Sequence, residues 1–176
     1  GQALGTHLYE LAWGRDPRRV EPVSVDKSVS NEHTFDHDID DPEVVHAELL
    51  RLSGKVAARM RAGGHAARTV SIKVRFADFS TVTRSRSLPA ATDVAHDIYV
   101  TARALYEALR LERTRIRLVG VRCENLTDSA QIQGVLGDRE SGWRETEQVM
   151  DEVARKFPAG KVRPARLVRP DNGRLS

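Results

Sequence analysis

The segment spanning residues 83–87 has the residue types and spacing best suited to binding phosphate. It reads Thr-Arg-Ser-Arg-Ser. The guanidinium groups of Arg84 and Arg86 and the hydroxyl of Ser85 are donors of the kind that bind phosphate oxygens. The alternative interpretation is an ordinary exposed edge strand, because free sheet edges often carry charged residues.

The alternation of apolar residues conflicts with an outward position for these arginines. Val82 and Leu88 share strand parity with Arg84 and Arg86, so a regular strand would direct all four side chains towards the core. The sequence leaves two solutions open. Either a bulge reverses the facing, or the segment is an edge strand that runs past the rest of the sheet.

Basic residues are concentrated in the middle of the chain. The 176 residues include 28 Lys and Arg and 25 Asp and Glu, for a net charge of +3. Residues 51–122 alone contain fifteen basic residues and five acidic ones. Such a segment is typical of a surface that binds a polyanion, although a merely solvated basic surface has the same composition.

Hydrophobic periodicity predicts an α+β domain with two helices on one face of a four-stranded sheet. Apolar residues recur every two residues in the predicted strands and every three or four in the predicted helices. The predicted order is β-α-β-β-α-β, over residues 29–35, 42–62, 69–76, 81–88, 93–109 and 115–123. Asp41 and Thr92 are predicted to cap the two helices. This arrangement leaves one face of the sheet open.

Strand parity predicts that four cations share the open face. These are Lys73, Arg75, Arg115 and Arg117. In the last strand the prediction assumes that Ile116 and Leu118 both face the helices. A cationic sheet face is a suitable platform for a phosphate backbone.

Motifs for catalysis are missing from the sequence. There is no Gly-rich phosphate loop and no Ser/His/Asp set with supporting context. One cluster has the residue types of a divalent-metal site, namely His33, Asp36, His37, Asp38 and Asp40. It lacks a fixed ligand spacing, and a polar turn before a capped helix explains it as well. Interpreted directly, the chain is a binding module with no catalytic or metal-ligating residue.

The two ends of the chain are predicted to add two further helices. Residues 2–13 and 140–157 are predicted to be helical, residues 16–26 a linker, and residues 161–176 a flexible basic tail. One side of the second of these helices carries Trp143, Met150, Val153 and Phe157.

The composition argues against membrane insertion and against disulfide bonding. No apolar run approaches the length of a membrane helix. Cys123 is the single cysteine, which indicates a reducing, cytoplasmic location. The sequence begins without Met and has no signal peptide, so a fragment of a longer protein is expected.

Several of these segments together resemble Y-family DNA polymerases of the DNA polymerase IV type. Residues 11–16 resemble the end of their thumb domain, and residues 27–35 resemble the start of their little finger domain. Residues 84–89, Arg-Ser-Arg-Ser-Leu-Pro, match the R-x-R-[ST]-[FL]-P strand of that domain. Residues 116–122 match its I-R-x-[IL]-G-V-[RK] last strand, and residues 142–165 resemble the tails of actinobacterial members.

The resemblance implies a reversed ferredoxin-like little finger over residues 27–123. Residues 1–15 would be the end of a thumb helix, residues 16–26 the linker, and residues 124–176 a C-terminal loop, helix and basic tail. The implied function is to grip duplex primer–template DNA for translesion synthesis in DNA repair, while other domains transfer nucleotides with Mg²⁺. The catalytic carboxylates have no counterpart in this chain, which is therefore expected to be inactive alone.

The resemblance also implies which residues bind DNA and the sliding clamp. It assigns phosphate contacts to Arg84, Ser85, Arg86, Lys27, Ser28 and Ser30. The expected clamp-binding peptide falls at Gln133, Val135 and Leu136, where it lacks an aromatic anchor and should bind weakly.

Two rival functions remain open at this stage. The chain could be a protein-interaction module that recruits the polymerase to the clamp. It could also be a sheet that binds single strands or RNA, but such a sheet needs exposed stacking aromatics that strand parity does not provide.

Overall fold

The computed structural model describes residues 2–16, 27–111, 114–131, 141–157 and 164–167. Four helices and four strands lie in these ranges. The helices are α1 (Gln2–Ala12), α2 (Pro42–Ala62), α3 (Ala95–Glu107) and α4 (Ser141–Lys156). The strands are β1 (Ser28–Ile39), β2 (His65–Phe76), β3 (Thr81–Thr92) and β4 (Ile116–Asp128). Single 3₁₀ turns occur at Ser129–Gln131 and Ala165–Leu167.

The strands form one antiparallel sheet in the order β1-β4-β2-β3. β1 and β2 are parallel with β4 between them, and β3 and β4 are parallel with β2 between them. Helices α2 and α3 each connect such a pair, so the fold consists of two interlocked split β-α-β units. This confirms the predicted strand and helix order, and it leaves β3 as a free edge.

Helix α2 begins and ends where the sequence indicates. Asp41 is its N-cap and accepts a hydrogen bond from the backbone N–H of Glu43 at 2.8 Å, with Pro42 at the first helical position. The helix ends at Gly63, whose N–H bonds back to carbonyls of the last turn, and Gly64 follows at φ +66°. The short capping residue and the two glycines therefore define a 21-residue helix.

The hydrophobic core lies between the helices and one face of the sheet. The α2 side chains that face it share a spacing of three or four and are fully buried: Val45, Leu49, Leu52, Val56 and Met60. The central strands contribute every second residue: Val70, Ile72, Val74, Val119, Val121 and Cys123. A core of aliphatic residues of this kind stabilises the sheet mainly by removing apolar surface from water.

The thiol of Cys123 is expected to be unreactive in the folded protein. Burial, with a smaller effect from the Glu124 carboxylate, raises the pKa of this thiol to about 12. Since the thiolate is the reactive species, a thiol reagent at about pH 8 should modify the native chain only on unfolding, and fully in denaturant. Rapid modification without denaturant would contradict the burial of Cys123.

All four strands are longer than predicted, and β1 and β4 extend through segments that were predicted to be a turn and a loop. β1 continues through the expected acidic turn to Ile39, with a register shift between Thr34 and Ile39 that accommodates the extra residues. β4 continues to Asp128, where a loop was predicted from residue 124. Pairing with a neighbouring strand stabilises both extensions, and a single strand's pattern does not show this.

Helix α4 docks through its charged side. Glu147 is buried, whereas Trp143 and Phe157 are 50% and 61% exposed. Arg61 of α2 donates to Glu147 and Asp151 at 2.6 Å each, and Arg144 donates to Asp93 at 2.8 Å. Of the predicted apolar side, Trp143 stacks on the ring of His96 in α3 at a centroid distance of 4.6 Å, but it stays half exposed, and the side chain that α4 buries is Glu147.

The remaining predictions about segments have mixed outcomes. α1 confirms the predicted N-terminal helix, and α4 lies within the predicted 140–157. The predicted linker over residues 16–26 lies outside the described residues from residue 17 onwards, as do Gln133, Val135 and Leu136, so the linker and the clamp peptide stay predictions. Within the described part of the chain, none of the helices is both long and apolar enough to cross a membrane.

Candidate nucleic-acid interface

The face of the sheet away from the helices is polar, and the strand register defines its members. Thr69, Ser71, Lys73 and Arg75 alternate with the buried apolar residues of β2 and are paired with Glu124, Arg122, Gly120 and Leu118 of β4. On the outer strands the same rows continue to residues that are mostly hydroxylic: Ser28, Ser30, Glu32 and Thr34 on β1, and Thr81, Thr83, Ser85 and Ser87 on β3. These side chains form what we call the open face.

The open face includes several of the predicted contact residues. Lys73 and Arg75 lie on it, as strand parity predicts. Ser30 lies opposite Arg122, and Ser28 opposite Glu124, so both serines belong to this face. Lys27 directly precedes β1 and is exposed. The structure thus brings Lys73, Arg75, Ser28 and Ser30 to one side of the sheet.

The prediction that Ile116 and Leu118 share a face is wrong. Ile116 is paired with Ile39 and Phe76, which lie on the helix side, whereas Leu118 is paired with Thr34 and Arg75 on the open face. The register shifts on both neighbouring strands between these two positions. An irregularity of this kind inserts a residue into the alternation, so simple parity cannot assign a face to Arg115 or Arg117.

Arg115 is exposed and Arg117 is half-buried at the end of the sheet, and both lie beside an acidic residue. Their guanidinium groups lie 3.6 and 3.9 Å from the carboxylate of Asp38. The Cζ atom of Arg117 also lies 4.7 Å from the ring centroid of Phe79, a cation–π geometry. The extension of β1 therefore partly neutralises both predicted phosphate-binding arginines.

Arg84 and Arg86 lie on the free edge, and their direction is resolved by the register. Arg84 is paired with Ile72 and Arg86 with Val70, so both project to the helix side of the sheet. Both are nevertheless exposed, since β3 is the outermost strand. Of the two sequence-based solutions, the edge strand is right, although Arg84 and Arg86 stay paired with β2 and do not run past the sheet. The register shift in β3 falls beyond Ser87 and leaves the parity of the arginines unchanged.

The two faces of β3 offer different donors to a phosphate backbone. Ser85 lies opposite Ser71 on the open face, between the two arginines that project the other way. Arg84 donates to the carbonyl oxygen of its neighbour Thr83 at 3.0 Å. Among the described residues, neither arginine forms an ion pair with a carboxylate. The edge therefore presents two cations whose charge is not neutralised locally.

Sequence reasoning missed three residues of this surface. Arg122, Glu32 and Glu124 lie on the open face, and none of them was among the predicted contacts. The alternation of Val119, Val121 and Cys123 would have placed Arg122 there, had it been followed instead of Ile116 and Leu118. The pattern within β1 does not reveal the ion pair of Glu32, because its partner Lys73 lies on β2.

The histidine and aspartate cluster of β1 does not form a metal site in this structure. Four of its members are distributed along the extended strand β1, and Asp40 directly follows it. No three His, Cys, Asp or Glu side chains gather in a geometry that could hold a metal ion within the described ranges. The open face carries no aromatic ring at the paired positions given above, and Phe79 lies in the turn between β2 and β3.

Taken together, two helices on one face of a four-stranded antiparallel sheet and a polar, cation-bearing opposite face define a little-finger-type α+β domain. Solved structures share this fold. A chimera of the Y-family DNA polymerases Dbh and Dpo4 matches 71% of this chain and 36% of its own, with 20% identity and a TM-score of 0.54. An insertion ternary complex of Dbh DNA polymerase matches 70% and 35%, with 17% identity and a TM-score of 0.51.

Sequence comparison identifies the family. Residues 26–136 match the impB/mucB/samB family C-terminal domain, and the chain belongs to this family. It is 37% identical over 168 residues to DNA polymerase IV of Desulfatibacillum aliphaticivorans, covering 93% of this chain and 42% of that protein. It is 39% identical over 136 residues to DNA polymerase IV of Corynebacterium diphtheriae, covering 74% and 29%. The chain thus spans less than half the length of these relatives.

Proposed function

We propose that this chain is the part of a Y-family DNA polymerase IV that grips duplex primer–template DNA during translesion synthesis. The observation that carries the proposal is the free edge of β3, where Arg84 and Arg86 are exposed and have no carboxylate partner among the described residues. Such guanidinium groups are suited to phosphate oxygens. The polyanion that we propose for this edge is DNA, because the chain is related to DNA polymerase IV.

The chemistry of the surface favours contacts to the backbone over contacts to bases. The donors on the edge and open face are arginine, lysine, serine and threonine side chains, which bind phosphate and sugar groups in protein–DNA complexes. Binding of this kind is independent of sequence. It would suit a polymerase that must hold DNA whose bases are damaged, since no base edge is inspected.

Nucleotide transfer and its Mg²⁺ ions are proposed to belong to other parts of the full polymerase. Metal-assisted phosphoryl transfer needs closely spaced carboxylates. The described residues of this chain bring no such group together. A cytoplasmic location accords with the single cysteine of the sequence.

Anisotropy of a labelled primer–template duplex, titrated with the chain at several salt concentrations, tests the proposal. If about four phosphates are neutralised, the logarithm of the association constant should fall with the logarithm of the salt concentration at a slope of roughly −3.6. Duplexes of unrelated sequence should give the same affinity. Binding that is absent at low salt, or that differs strongly between duplex sequences, would contradict a backbone grip.

A further inference from the structure

One ion pair crosses the middle of the open face. The ammonium group of Lys73 on β2 lies 2.9 Å from the carboxylate of Glu32 on β1. β4 runs between these two strands. The register places Gly120 directly between them, paired with Glu32 on one side and with Lys73 on the other.

The missing side chain at position 120 makes this crossing possible. A Cβ atom at Gly120 would lie 3.1 Å from the Cβ of Glu32, which is closer than nearly all such contacts. A larger residue would therefore occupy the space over which the two side chains meet. With glycine there, the carboxylate reaches a lysine two strands away.

A second acidic residue, Glu124, pairs with another cation of the open face. The guanidinium group of Arg122 lies 3.2 Å from the carboxylate of Glu124, which also accepts a hydrogen bond from Ser71 at 2.9 Å. Two cations of the open face therefore differ from those of the free edge, whereas Arg75, within the described part of the chain, donates only to the hydroxyl of Thr81, at 3.1 Å. Lys73 and Arg122 hold carboxylate partners, whereas Arg84 and Arg86 have none among the described residues.

We propose that Glu32 competes with DNA phosphate for Lys73 and so weakens the grip of the open face. This inference rests on the proposed function and adds a residue that limits affinity. The pair is about half exposed, at 37% for Lys73 and 54% for Glu32, and ion pairs of this kind are weak. A phosphate can displace the carboxylate, but the displaced charge of Glu32 then faces the DNA. Weakened contacts let a polymerase release DNA after a short stretch of synthesis.

Replacement of Glu32 by glutamine tests this competition. Glu32→Gln keeps the shape of the side chain and removes its charge, which frees Lys73 for a phosphate. The salt slope should become steeper by about 0.9, and at roughly 0.1 M salt duplex affinity should rise roughly eightfold. In the double variant Glu32→Gln/Lys73→Ala this gain should disappear, because Lys73, the cation that Glu32→Gln frees for a phosphate, is then absent.

A matched control separates a local effect from a change in net charge. Glu107→Gln removes one negative charge from an ion pair of similar exposure, with Arg103 at 2.7 Å, on α3 in the helix layer. It should leave the salt slope unchanged. Equal gains for Glu32→Gln and Glu107→Gln would overturn the inference, and so would an unchanged affinity for Glu32→Gln.

The outcomes also distinguish this inference from the proposed function. If the wild-type chain shows salt-dependent duplex binding while Glu32→Gln changes neither slope nor affinity, only the inference fails. If the wild-type chain does not bind duplex at low salt, both fail. Thermal unfolding of Glu32→Gln, measured beside the wild type, checks that the substitution leaves the fold intact.

Discussion

The double variant Arg84→Ala/Arg86→Ala should bind duplex DNA roughly 60-fold more weakly than the wild type at about 0.1 M salt. Each neutralised phosphate contributes about 0.9 to the salt slope, so the loss of two contacts should lower its magnitude by about 1.8. The loss should be the same for every duplex sequence, because phosphate contacts carry no base information.

The structure gives a reason to expect that this variant folds. Arg84 and Arg86 are exposed on the outermost strand, and they form no ion pair with any described residue. Alanine in an exposed edge strand costs little, since neither packing nor a buried partner is lost. Weaker binding would therefore report on the interface and not on unfolding.

The control is a second double variant with the same change in charge. Arg51 and Arg103 pair with Glu48 and Glu107 on the surfaces of α2 and α3. Arg51→Ala/Arg103→Ala should keep the wild-type slope. If both double variants lose affinity equally, the edge of β3 has no special role, and the proposed contact residues would be wrong.

The sequence predicted those parts of the fold that local physics determines. The 3.6-residue period and the Asp41-Pro42 start predicted α2, and the alternation of Val70, Ile72 and Val74 predicted the inner face of β2. These predictions succeed because the spacing of apolar residues within one helix or strand shows which side of that element is buried.

The facing of Arg84 and Arg86 depends on information that is not local. Their parity with Val82 and Leu88 is real, but whether it buries them depends on β3 being an edge strand. Strand order results from the crossover connections and is not encoded within residues 81–92. The irregularity at Arg117 has the same origin, because the pairing of two neighbouring strands decides where the extra residue lies.

The side through which α4 docks was the feature hardest to predict from the sequence. Its apolar side, with Trp143 and Phe157, suggested the packed surface, as in an ordinary amphipathic helix. The structure instead buries Glu147. The reason lies in α3, whose N-cap residue is Val94 and not Thr92, so the predicted cap is wrong. Val94 has no side-chain oxygen and forms no side-chain cap.

Glu147 accepts hydrogen bonds from the first N–H groups of α3 and also neutralises the charge of Arg61. Its carboxylate accepts hydrogen bonds from the backbone N–H groups of Ala95 at 2.8 Å and His96 at 3.2 Å. Arg61 donates to Glu147 and also to the carbonyl oxygen of Asp93 at 2.7 Å. Burial alone would lower the pKa of Arg61, but the carboxylates of Asp151 and Glu147 outweigh burial and raise this pKa above its ordinary value.

Replacement of Glu147 by alanine should therefore lower the free energy of unfolding by about 3 kcal/mol, because it leaves a buried cation and two helix N–H groups short of a partner. The midpoint of thermal unfolding should fall by roughly 10 °C. Hydrogen exchange should accelerate at the amides of Ala95 and His96, which a general loss of stability alone would not single out.

Glu145→Ala provides the comparison, since it removes the same side chain from an exposed position of α4. It should change the unfolding free energy by no more than about 0.5 kcal/mol. If Glu147→Ala behaves like Glu145→Ala in both stability and exchange, α4 does not hold the start of α3. If it instead loosens α3, then α4 stabilises the junction between β3 and α3.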